Sequence, residues 1–196
     1  MTAELVGDVT LRMPFGEWTF ADLLGTPDDG RRYEIIDGSL HLSPSPTFPH
    51  QLAATRLITL LARAAPEPYE AVGPVNVVCA RSVLEPDFVV VRYDEAKVHG
   101  LEVDPADVLL AGEVVSPSSR RMDRLVKPSV LAEAGVPAYW RVEQDGPGAP
   151  LVVVHELVGG VYREVVTVLA GEEIMIEVPF PVLVRPADLV GPRRRG

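Results

Sequence analysis

Two apolar runs, each carrying a carboxylate, constrain this chain more than any other feature. Leu84-Glu85-Pro86-Asp87-Phe88-Val89-Val90-Val91 has an acid at the mouth of a strand, and Val108-Leu109-Leu110-Ala111-Gly112-Glu113-Val114-Val115-Ser116 has one near the end of the next. Near-continuous Val and Leu, without clean alternation, indicates strands covered on both faces. A carboxylate inside such a strand is expensive to bury without a partner or a metal. Asp87 and Glu113, on neighbouring strand ends, can share a divalent cation, because Mg²⁺ takes hard oxygen ligands and keeps several waters. Each also has a plainer explanation. Pro and Asp are both common in a turn that opens a strand, and Glu113 is equally at home on a sheet edge.

At 196 residues and 47% hydrophobic content, the chain is long enough for one well-filled core and too short for two ordinary domains. One domain over residues 1–190 is expected, followed by a disordered tail over 191–196. No run approaches the roughly 18 apolar residues of a membrane span, and the first residues lack the basic-then-apolar order of a signal peptide. Cys79, the lone cysteine, lies in an apolar run and reads as a buried thiol. A cytoplasmic protein with no membrane partner follows. The net charge of −10 excludes a protein that coats nucleic acid nonspecifically, yet leaves room for a locally basic cleft.

Along the chain, Thr19 is a fair N-cap for a short helix over Phe20–Leu24. Arg32–Ser43 reads as a hairpin turning at Asp37-Gly38. A helix from about His50 to Ala65 carries Leu52, Ala53, Leu57, Leu60 and Leu61 at helical spacing. Tyr69–Ala80, Asp87–Val91 and Val108–Ser116 are β-rich. Ser119–Ala134 has helical character and stops at Gly135. Val136–Val142, Leu151–Leu157, Val161–Val168 and Ile174–Val178 are further strands, and Pro186–Leu189 is a last turn. The whole is an α/β domain with a C-terminal β extension.

Glu34 interrupts apolar residues in the first hairpin strand, where an exposed face accounts for it as well as a site does. His50 follows Pro49 at a helix start and reads as exposed or capping. Arg120-Arg121-Met122-Asp123-Arg124-Leu125-Val126-Lys127 sets four basic residues against one acid. It is either a solvated helix face or a phosphate-facing surface placed directly after the second carboxylate.

The order of local sequences is more specific than any spacing. Tyr33-Glu34-Ile35-Ile36-Asp37-Gly38, Ser43-Pro44-Ser45-Pro46 with His50-Gln51, Pro86-Asp87-Phe88-Val89-Val90-Val91, Glu113-Val114-Val115-Ser116-Pro117-Ser118-Ser119-Arg120, and Lys127 ahead of Ala134-Gly135-Val136-Pro137-Ala138-Tyr139-Trp140 occur in that order. Together they resemble the bacterial Uma-type family of the restriction-endonuclease-like superfamily, from about Phe15 to Val184. That superfamily is named for a Pro-Asp…(Asp/Glu)-x-Lys motif. Val115 stands where the motif expects its Lys.

The resemblance implies a restriction-endonuclease-like core, with a mixed central β-sheet flanked by helices. It implies that Asp87, Glu113 and the backbone carbonyl of Val114 bind Mg²⁺ (or Mn²⁺), and that Glu34 is the acid contributed by the first element. It also implies that the missing strand lysine has moved to Lys127. Pro128 pushes the residue before it away from helical geometry, so the helix either starts at Pro128 or kinks there. On this reading the chain is a Mg²⁺-dependent deoxyribonuclease that holds DNA with Arg120, Arg121 and Arg124, alone or as a homodimer. The alternative is a catalytically inactive nuclease-like domain that binds nucleic acid or a protein partner.

Overall fold

The structure is a computed structural model that describes residues 16–97 and 100–191; of the tail expected at 191–196, residues 192–196 lie outside the described residues. Helix α1 (Phe20–Leu23) starts at Thr19, whose N–H and hydroxyl both donate to the Asp22 carboxylate, at 2.8 and 2.6 Å. Strands β1 (Arg32–Ile36) and β2 (Ser39–Ser43) form the expected hairpin. Asp37 and Gly38 turn it at φ 48° and 75°, the left-handed pair that matches strand twist. Helix α2 (Phe48–Ala64) buries Ala53, Ala54, Leu57 and Leu61.

Tyr69–Ala80 is not one strand. It divides at cis-Pro74 into β3 (Tyr69–Val72) and β4 (Asn76–Cys79), which belong to different sheets. Gly73 stands at the crossover, where an added Cβ would lie 2.4 Å from the Asp87 carbonyl oxygen. No larger residue can pass that close. Strands β5 (Ser82–Leu84), β6 (Phe88–Arg92), β7 (Glu102–Val103) and β8 (Val108–Val115) follow.

A π-helical turn at Met122–Val126 then leads into α3 (Lys127–Glu133). The helix start or kink expected at Pro128 takes the form of this π-turn, with α3 starting one residue earlier, and the expected loss of helical geometry at Lys127 is corrected. Lys127 keeps helical angles (φ −59°, ψ −45°), and its N–H bonds five residues back to Met122 O. A proline ring clashes with the carbonyl four residues earlier, and a widened turn is one way a helix accommodates this. Strands β9 (Ala138–Glu143), β10 (Leu151–Val158), β11 (Val161–Val168), β12 (Ile174–Ile176) and β13 (Val182–Val184) complete the chain.

The central sheet has the order β11-β10-β9-β8-β6-β3 and is mixed: β8 and β9 are parallel, the remaining pairs antiparallel. One face carries α2 and the β12–β13 pair over Phe88, Val90, Leu110, Val114, Trp140 and Val142. The other face, with Val89, Ala111 and Tyr139, meets Leu131 of α3 and Ile36, Val77 and Leu84 of a second sheet, ordered β2-β1-β5-β4-β7. Gly112 is forced by packing, since an added Cβ would sit 2.2 Å from Phe88 Cζ. Among the described residues, no helix is long and apolar enough to cross a membrane.

Candidate active site

Strand alternation decides which charges meet. On β1, Ile36 packs toward the central sheet while Ile35 packs away from it, so Arg32 and Glu34 share the inward side with Ile36. On β8, Glu113 shares the face of Ala111, and the first β6 pair, Phe88↔Gly112, leaves Asp87 beside Glu113 one step further on. On the following helix, Asp123, Lys127 and Leu131 recur four residues apart and line one stripe. Charged side chains from β1, the entry to β6, β8 and the helix therefore converge between the two sheets.

Lys127 is the centre of this convergence, and only 3% of it is exposed. Its Nζ lies 2.9 Å from Glu113 Oε1, 2.9 Å from Glu34 Oε1 and 3.9 Å from Asp123 Oδ1. Burial works against the ammonium, but Glu113, Glu34 and Asp123 outweigh it and hold its pKa above the ordinary lysine range. Glu34 also accepts the Glu85 N–H at 2.8 Å, so a buried carboxylate stands where an exposed strand face was the competing expectation.

Asp87 forms the second half. Its Oδ1 accepts from Arg32 Nη1 at 2.7 Å; its Oδ2 accepts from the Val114 N–H at 2.8 Å and from His50 Nε2 at 3.0 Å. Burial pushes this carboxyl up, yet His50, Arg32 and the Val114 amide together bring it below the usual carboxylate range. His50 is thus not the exposed or capping residue expected of a helix start; it is buried and held by Asp87. Val114 contacts Asp87 through its amide, whatever its carbonyl does.

The cluster is short of positive charge. Among the described residues, Glu34, Glu85, Asp87, Glu113 and Asp123 face two permanent cations, Arg32 and Lys127. Burial raises Glu113 well above the ordinary range, Lys127 notwithstanding. Burial likewise lifts Asp123 to about 6 against the pull of Lys127 and Ser119, and raises Glu85 against that of Arg32. Tyr139 shares the environment: burial first, then Glu113 and Asp123, raise its phenol well above normal.

These donors fit a hard divalent cation. Asp87 and Glu113 supply carboxylate oxygens on one face, a carboxylate offers about four lone-pair sites, and a cation would offset the crowding that otherwise favours protonated carboxyls. Among the described residues, no three His, Cys, Asp or Glu side chains form a cage by themselves. An ion here would rest on two carboxylates, a carbonyl and waters, the arrangement Mg²⁺ tolerates best.

The basic helix face divides. Arg120 and Arg121 are exposed. Arg124 is instead committed to Glu143, Nε to Oε1 at 2.9 Å and Nη2 to Oε2 at 2.7 Å, and Arg141 shares the same carboxylate at 2.7 Å. This corrects the expectation that Arg124 is free to hold a phosphate. Sequence reasoning passed over Arg32 and Asp123. Their one available signal was periodicity: Arg32 is two residues before Glu34 on a strand, and Asp123 is four before Lys127 on a helix.

Comparison with known proteins bears on the fold and the family. The chain is similar in fold to a crystal structure described as "a putative nuclease belonging to DUF820 from Anabaena variabilis ATCC 29413", with a TM-score of 0.65 and 16% identity, covering 88% of this chain and 97% of the other. No curated protein matches. The Uma2 family, described as "Putative restriction endonuclease", matches residues 19–188, which include every residue of the buried cluster. The chain belongs to the Uma2 family.

Proposed function

We propose that the protein hydrolyses phosphodiester bonds of DNA with the help of Mg²⁺ or Mn²⁺. The observation that carries this reading is the buried meeting of Glu34, Glu113 and Lys127 beside Asp87, with carboxylates in excess. Burying so many charges is costly, and such clusters concentrate where chemistry needs them. Asp87 and Glu113 would hold the ion, with the Val114 carbonyl as a further oxygen. Bound there, a divalent cation supplies Lewis acidity at a phosphoryl oxygen and lowers the pKa of an attacking water.

The chain's own residues supply the remainder. His50 and the Val114 amide fix one oxygen of the Asp87 carboxylate, and Arg32 holds the other in the ion-free protein. Lys127, kept protonated between Glu34 and Glu113, offers a point charge to negative charge developing on the phosphate, or a donor that orients the water. It does from the helix what the motif lysine would do from position 115. Arg120 and Arg121, exposed one turn after the second carboxylate, are suited to the flanking backbone.

The test is incubation of the purified protein with supercoiled plasmid, linear duplex and single-stranded DNA in Mg²⁺ or Mn²⁺. Cleavage is expected, abolished by chelation and lost in Asp87→Asn, Glu113→Gln and Lys127→Ala. Thermal unfolding gives an independent readout: Mn²⁺ at 100 times its dissociation constant should stabilise the wild type by about 2.7 kcal/mol, and Asp87→Asn by far less. No cleavage of any substrate with either ion would leave the chain a nuclease-like module that binds nucleic acid or protein.

A further inference from the structure

The two oxygens of Asp87 are held in unequal ways. Oδ2 is fixed by the Val114 amide within β8 and by His50 on the packed first turn of α2. The Val114 amide cannot leave without moving β8, and the His50 ring is buried. Oδ1 is held by the flexible arm of Arg32 alone, at 2.7 Å. That arm has a second seat: Arg32 Nε lies 3.6 Å from Glu85 Oε2, too far for a good hydrogen bond but close enough for a small rotation to make one. The Arg32 side chain is 14% exposed, so its guanidinium trades carboxylates inside the cluster and not with bulk water.

Oδ2 already accepts from two donors, so a divalent ion on Asp87 would have to share Oδ1 with Arg32, and two cations crowded at one oxygen repel. We propose that Arg32 is an internal competitor of the ion: it sits on Asp87 Oδ1 while no ion is held and moves onto Glu85 when one binds. Glu85 then tunes ion affinity without touching the ion. This inference rests on the divalent-ion site proposed above and adds its regulation. Ion binding shifts the arginine only by the difference in its interaction with the two seats. The planar guanidinium fork makes Glu85 a good second seat, because it can pair with a carboxylate through two bonds.

Calorimetric titration of Mn²⁺ into the full chain tests the proposal without relying on cleavage. Arg32→Gln removes the competitor and should tighten Mn²⁺ binding about tenfold, the worth of one charge-assisted hydrogen bond. Glu85→Asp keeps the charge but shortens its reach. Attraction through space would leave affinity nearly unchanged, whereas loss of the second seat should weaken binding several-fold. In the Arg32→Gln background, Glu85→Asp should have no further effect, since it acts only through Arg32. If Arg32→Gln fails to fold, Glu85→Asp alone decides: weaker binding supports the proposal, and unchanged or tighter binding overturns it. Wild-type protein that binds no Mn²⁺ at millimolar concentrations removes the nuclease reading and this inference together. Binding that is lost in Glu113→Gln but unmoved by the changes at Arg32 and Glu85 removes this inference alone.

Discussion

The two faces of the central sheet are built from the same strands and obey different rules. Toward α2, β6 and β8 present Phe88, Val90, Leu110 and Val114, sealed by Leu57, Leu61 and Trp140 in a wholly apolar core. Toward β1 and α3, the intervening residues begin apolar, with Val89 and Ala111, and end in charge, with Asp87 and Glu113. Both faces are fully buried. The first is stabilised by close packing, where volume is what matters. The second is held by partners, where a missing partner leaves a charge exposed to low dielectric. The contrast teaches that burial alone does not mark a site; burial of charge that packing could have replaced does.

The largest effect expected of that contrast sets Lys127→Ala against Phe88→Ala. Each should cost about 3–5 kcal/mol, the first by stranding buried carboxylates and the second by opening a cavity. Urea unfolding at pH 5 and pH 8 separates them. The Lys127→Ala loss should shrink at pH 5, where the raised Glu113 and Asp123 carboxyls take up protons; the Phe88→Ala loss should not change. Cleavage should vanish in Lys127→Ala, and Mn²⁺ binding should survive in Phe88→Ala. Equal pH dependence in the two variants would erase the distinction between the faces.

A somewhat smaller effect belongs to Asp123. Burial lifts its carboxyl from 3.8 to about 6, so the folded protein holds that proton more tightly than the unfolded chain does. The contribution therefore favours folding below about pH 4, is lost as pH rises through about 6, and stays lost above. Two pKa units correspond to about 3 kcal/mol. Asp123→Asn should flatten the fall in stability between pH 4 and 6, as read by unfolding midpoints, and a variant confined to the apolar face should leave that slope intact. An unaltered slope in Asp123→Asn would mean that the Asp123 carboxyl is not raised by burial in the folded protein.

The smallest effects lie on the exposed helix face. Duplex DNA binding should depend on salt with a log–log slope of about −0.9 per neutralised phosphate. Replacing Arg120 and Arg121 with Ala should reduce that slope by nearly two. Arg124→Ala should leave it unchanged, because its fork is already spent on Glu143; its loss should cost no more than about 1 kcal/mol, as befits a partly exposed pair. A slope that follows Arg124 and ignores Arg120 and Arg121 would reverse the assignment.

Much of this was legible in the chain as written. Asp37-Gly38 announced the hairpin, the Leu57–Leu61 spacing the long helix, and the Val-rich runs around Asp87 and Glu113 the doubly covered strands. Those features are local: they depend on turn conformation, on periods of 3.6 and 2, and on residue hydrophobicity, all of which the sequence carries within a few positions. The moved lysine was visible through the family's wording, and its aim was not, because the carboxylates around Lys127 come from strands distant in the chain.

What the tertiary structure alone decided are the pairings between distant positions. Arg32 and Asp87 are 55 residues apart, and nothing near either one says that they meet. His50 looks like any helix-start residue until α2 is laid against the sheet, and Glu34 looks exposed until β1 turns its even-numbered side toward Glu113. Arg124 looks free until β9 brings Glu143 beneath it. Sequence fixes which side chains share a face of their own element; only packing decides which faces are pressed together, and a buried charge takes its meaning from what it is pressed against.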